Sequence, residues 1–141
     1  MRTNLQDQHR VPTSPAGLPE NFRLVRLRLA REHDHPEGDS RHGYDILTPL
    51  RDDGSIDAEA YRAWPLACRV RRFRPGEGDA IGHLVHGPGG WWTIQYDGEA
   101  AMGEERGFHF RDERFRAGEY VSIREDDRQM HTFKVWEVRQ P

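Results

Sequence analysis

Histidine and carboxylate carry most of the chemistry open to this chain. Eight histidines fall within 141 residues. An imidazole beside a carboxylate can hold a ligand, bind a metal or act as a base. His83 and His131 each lie in an apolar row and are expected on inward faces. Glu125 is expected directly across the closing hairpin from His131, where it could orient or charge the ring. A polar stretch, EHDHPEGDSRHG, carries His33, His35, Arg41 and His42 among four acids, and is expected to be a loop over the same end of the fold. The candidate ligand-binding residues are therefore His83, Glu125, His131, Arg41 and His42. They suit a small polar or anionic molecule.

Other constellations say less. His33-x-His35 resembles the start of a cupin metal site, but Glu37 follows too soon and Pro36 interrupts the strand, so no metal is expected there. His83-x-x-His86 would place its rings on opposite faces of a strand. Arg69, Arg71, Arg72 and Arg74 surround Phe73, and with Arg26 and Arg28 could cradle an anion or a single nucleic-acid strand. The plainer reading is a solvated strand face paired with acids. Of 21 basic residues only Lys134 is a lysine, which reads as compositional bias, and a net charge of -3 argues against a generic nucleic-acid binder. There is no P-loop, dinucleotide fingerprint, nucleophile elbow or Cys-x-x-Cys pair, so no cofactor is implied. The single cysteine, Cys68, excludes an internal disulfide framework and reads as an inert packing residue.

The elements that must position these residues are mostly strands. Asp79–Asp97 reads as a β-hairpin with residues 87 to 90 as its loop. Pairing His86 with Trp91 puts Ile81, His83, Val85, Trp92, Ile94 and Tyr96 on one face. Phe22–Arg31 is the first strand, with Val25, Leu27 and Leu29 on one side and a bulge expected at Leu24–Val25. Tyr44–Leu50 is a short second strand, with Pro49 marking an edge or an end. Ser55 or Asp57 can cap a helix over Ala58–Trp64, which Pro65 stops. Leu66–Arg74 is the third strand, with Leu66, Cys68 and Val70 facing one way. Gly107–Arg111 is another short strand. Tyr120–Val138 closes the chain as a hairpin. Pairing Ile123 with Phe133 aligns its apolar faces and leaves the loop Asp127-Arg128-Gln129, which needs a left-handed residue near Gln129. The runs RFRPGE (72–77) and RFRAGE (114–119) echo each other, which reads as shared turn chemistry rather than duplication.

RHGYDILTPL, RVRRF, GHLVH and GEYVSIREDD…HTFKVWEV resemble a group of small uncharacterised bacterial proteins over roughly Phe22 to Arg139. The resemblance attaches no activity, ligand or partner.

These readings predict a mainly β domain: a small barrel or strongly bent antiparallel sheet of about seven strands with one short helix. The alternative is a small α+β fold with one sheet packed on a helix. Residues 1–20, with three prolines, read as a flexible tail, and 21–141 as one domain. No signal peptide or membrane span is visible, so a soluble cytoplasmic protein is expected. The expected function is a domain binding a small polar or anionic ligand at one end. The alternatives are a histidine-dependent enzyme, metal-assisted or acid–base, and a protein-interaction or oligomerisation module using Trp91, Trp136 and Tyr120.

Overall fold

Spacing-two apolar patterns recur along the chain, and most of them form strands. The computed structural model describes residues 17–32, 35–98 and 110–141. Its strands are β1 (Phe22–Leu29), β2 (Asp39–Pro49), β3 (Arg69–Phe73), β4 (Ala80–His86), β5 (Trp92–Tyr96), β6 (Tyr120–Arg124) and β7 (Met130–Arg139). They form a single antiparallel sheet in the order β5-β4-β3-β2-β1-β7-β6. β1 to β5 meander; the β6–β7 hairpin then returns to pair β7 with β1. The sheet curls strongly into a half-barrel, the mainly β architecture that the alternation predicted.

The concave side holds the core, including Leu27, Tyr44, Ile46, Val70, Leu84, Ile94, Phe133 and Val135. The one helix among the described residues, α1 (Ala58–Ala63), starts where expected. Asp57 Oδ1 accepts the Ala60 N–H at 3.1 Å, as an N-cap does. Its Tyr61 plugs one end of the trough, donating its hydroxyl to the Leu84 carbonyl at 3.0 Å and setting its ring edge-on to Trp92. Among the described residues no helix is long and apolar enough to cross a membrane.

Several expected boundaries are corrected. β2 begins at Asp39, so half of the supposed polar loop is strand, tied to β1 and β3. Pro65–Ala67 is a 3-10 turn rather than strand, and Leu66 is exposed. β1 bulges at Arg26/Leu27 and Arg28/Leu29, not at Leu24–Val25. Of the strand expected at 107–111, residues 107–109 lie outside the described residues, and Phe110 makes a single bridge to Trp92. Residues 1–16 of the expected tail and His33 lie outside them too.

The largest correction is the phase of β4. Gly87 N–H bonds to the Trp91 carbonyl and His86 pairs with Trp92, leaving a three-residue loop, Pro88 to Gly90. One residue fewer in the loop turns every β4 side chain over. Ala80, Gly82 and Leu84 face the core, and Ile81, His83 and Val85 face out. Gly82 is the reason this phase is easy to miss. A Cβ there would lie 2.2 Å from the Gln95 carbonyl oxygen, so the tight curl admits only glycine at an inward position.

The closing hairpin also shifts, but by an even step. Ile123 pairs with His131 and Val121 with Phe133. Glu125 then pairs with Gln129 around a loop of Asp126, Asp127 and Arg128, and Arg128 takes the left-handed conformation at φ 65°. An even shift preserves faces, so Val121, Ile123, Glu125, Phe133 and Val135 remain inward.

Candidate functional site

The end of the trough away from Tyr61 is polar. Here the last residues of β3 and β6 meet the first residues of β2 and β7. Glu125 sits at the centre, 3% exposed. Its carboxylate accepts the Tyr44 hydroxyl at 2.5 Å, His42 Nε2 at 3.1 Å from both oxygens, and Arg74 Nη2 at 3.2 Å. His131 Nε2 lies 3.9 Å away. Arg74 also makes two bonds to Asp126, both at 3.0 Å. Phe133 walls the cluster, edge-on to His42 and Tyr44.

Electrostatics follow from these contacts. Burial alone would raise the Glu125 pKa. The bonds from His42 and Tyr44, with the charges of His42 and Arg74, outweigh it and hold the carboxyl at about 2. Burial, reinforced by neighbouring Glu125, pushes the Tyr44 hydroxyl well up, so Tyr44 stays a donor. His131 has both ring nitrogens against carboxylates: Nδ1 to Glu32 at 2.9 Å and Nε2 to Asp127 at 2.7 Å. A neutral imidazole has one N–H, so two such contacts require the imidazolium. Burial opposes this, but the bonds to Asp127 and Glu32 and the charge of Glu125 raise the His131 pKa.

The cluster therefore brings together three of the five expected site residues: Glu125, His131 and His42. His83 is not among them. It pairs with Arg69 and Gln95 on the outer face, because the β4–β5 loop is one residue shorter than expected. Arg41 is also absent from it; its side chain is 76% exposed and turns to Asp39. Tyr44, Arg74 and Glu32 also belong to the cluster; from sequence Arg74 was named only within the arginine cluster around Phe73, and Tyr44 and Glu32 were not named as site residues. Arg74 could have been found from its position directly after the β3 alternation, and Tyr44 from its spacing of two from His42. Nothing local marks Glu32.

On the convex side, a second polar row crosses four strands in register: Glu137, Arg26, Asp45, Arg71. Asp45 is fully buried and takes both Arg71 (2.8 Å) and Arg26 (3.2 Å), while Arg71 also reaches Asp79 at 2.8 Å. Guanidinium groups of Arg28 and Arg71 stack over Phe73, and Arg26 and Arg28 over Trp136. The arginine-rich face is thus a packed layer, not a freely solvated surface.

Beside that row, an open groove of about 840 Å³ runs along the polar end, lined in part by Arg28, Arg31, Thr132, Lys134, Tyr120 and Trp136. Lys134 lies directly across from Arg28 on one side and from Tyr120 on the other. Tyr120 is 61% exposed and Trp136 56%. Arg28 has a carboxylate, Asp45, at 3.6 Å. Lys134 and Arg31 have none among the described residues. Of the acids at the groove, Asp39 is engaged by Arg41, and Glu37 stands on the rim.

Among the described residues no group of three or more His, Cys, Asp or Glu side chains is arranged to hold a metal ion. Cys68 is buried, and burial pushes its thiol up to about 12. No family model matches the chain, and no curated protein or solved structure does.

Proposed function

We propose that the half-barrel is a binding domain that takes a small anionic molecule carrying a flat ring, in the groove at its polar end. One observation carries this reading: Arg28 and Lys134 stand directly opposite each other, with exposed Tyr120 across from Lys134 on its other side and exposed Trp136 two residues along β7. Like charges facing across strands destabilise a sheet. An anionic ligand would relieve that repulsion, and the two rings offer it apolar walls. The histidine–glutamate cluster on the concave side supports the groove without touching the ligand. Its four carboxylates, Glu32, Glu125, Asp126 and Asp127, would repel an anion, and its His131 ring and Arg74 Nη groups are already bonded to them.

The test is a titration of the full chain with naphthalene-2-sulfonate, read by NMR at the Trp136 indole. Saturable binding lost in Lys134→Glu supports the reading. Binding that survives both Lys134→Glu and Trp136→Ala rules this groove out.

A second reading is favoured by Tyr120, Met130 and Trp136, all exposed on the outward side of one hairpin whose β6 strand is a sheet edge. Such a surface suits a second copy of the chain. Light scattering that rises to a dimer mass with concentration, and falls back in Trp136→Glu, would favour it.

A further inference from the structure

We infer that His131 is a proton-operated clasp that sets the wall of the groove, so that binding there is tight when the ring is an imidazolium and weak when it is neutral. This rests on the groove being the binding site. The connection between β1 and β2 has two sides. Ala30, Arg31 and Glu37 line the groove, while Glu32 turns inward to His131. The same connection is pinned by reciprocal backbone bonds between Glu32 and His35, each 3.0 Å, and by Gly38 N–H to His35 at 2.9 Å. On β7, His131 points inward, and the next residue, Thr132, lines the groove and accepts the Ala30 N–H at 2.9 Å. One ring therefore joins the groove wall to the β6–β7 turn.

The chemistry of the ring makes the joint switchable. As an imidazolium, His131 donates to Glu32 and Asp127 together. Losing one proton leaves one N–H, so one of those carboxylates loses its donor and faces a lone pair instead. The groups around it act in both directions. Glu32 from the β1–β2 connection, Glu125 from the end of β6 and Asp127 from the turn favour the charged ring. His42 on β2 and Arg74 beyond β3 partly offset this by neutralising Glu125, to which Tyr44 also donates. His35 shares Glu32 at 3.3 Å. Arg74 keeps its charge across the range of an imidazole, whereas His35 and His42 are imidazoles beside the same carboxylates, so variants at His131 and Asp127 are what separate this ring from them.

The experiment titrates naphthalene-2-sulfonate, whose charge is constant with pH, from mildly acidic to mildly alkaline solution. Protection of the Glu32, His35 and Gly38 amides against hydrogen exchange, relative to intrinsic rates, is measured alongside without ligand. Wild-type affinity should fall on the order of threefold to tenfold across the ring's titration, with protection falling in step. Asp127→Asn should move that transition to lower pH, and His131→Gln should abolish it; if His131→Gln does not fold, Asp127→Asn alone makes the test. Binding and protection that ignore pH would overturn the clasp while leaving the groove reading intact. Protection that follows pH, without saturable binding at any pH, would overturn the groove reading instead.

Discussion

Glu125 and His131 respond to pH in opposite senses, because one is held as an anion and the other as a cation. Glu125 has a folded-state pKa depressed to about 2. Its contribution is present above the unfolded glutamate value and is lost as pH falls from there toward 2. His131 has a raised folded-state pKa. Its contribution is complete below the unfolded histidine value, about 6.5, and is lost as pH rises through the folded one. Denaturant unfolding followed against pH should show both limbs. His131→Gln should flatten only the limb at higher pH. Glu125→Gln should flatten the acid limb, move the other limb to lower pH by removing a charge that favours the imidazolium, and cost about 1–3 kcal/mol, since it leaves Arg74 and His42 without their buried carboxylate. An unchanged acid limb in Glu125→Gln would mean that the network is not what holds this end together. Glu125 and His131 were legible as a pair because both sit in one apolar row, even though their register was displaced. Glu32 was not legible, since its role comes from a contact 99 positions away.

At the level of elements, the β4–β5 and β6–β7 hairpins show how much depends on the parity of an error. Both loops were placed slightly off. The β6–β7 shift is even, so every inward residue stayed inward, and the left-handed residue moved only from near Gln129 to Arg128. The β4–β5 shift is odd, so His83 left the trough and Leu84 entered it. Apolar content could not choose between the phases, because Ile81 and Val85 look as suitable for a core as Leu84 does. The deciding feature is the inward Gly82, whose need for close backbone approach exists only in the curled sheet. Leu84→Ala should therefore cost about 2–5 kcal/mol, and His83→Ala no more than about 0.5 kcal/mol, by chemical denaturation. The reverse order would refute the observed phase. The echoed runs fare better: Glu77 N–H bonds to Arg74 carbonyl and Glu119 N–H to Arg116 carbonyl, the shared turn expected of them.

Across the whole molecule, the convex side of the seven-stranded half-barrel needs a cover of its own, because the one short helix among the described residues plugs an end of the trough instead. The alternating row Glu137–Arg26–Asp45–Arg71, with guanidinium groups stacked on Phe73 and Trp136, serves as that covering. Strand count and class were readable from alternation and turns. The arginine layer was not, because a compositional excess of arginine hides which guanidinium groups have partners, and the partners lie on other strands. Asp45→Asn should cost about 3–5 kcal/mol, as removal of one member of a buried ionic set does; added salt should change the wild-type stability little, since Asp45 is shielded from solvent. A loss below about 0.5 kcal/mol, the range of a neutral surface change, would make the row incidental. The concave end, the groove wall and its proton dependence all rest on the charge state of one ring. Imidazole nitrogen NMR of His131 at neutral pH measures it directly: both ring nitrogens should carry protons, and a neutral ring with one bare nitrogen would contradict the account.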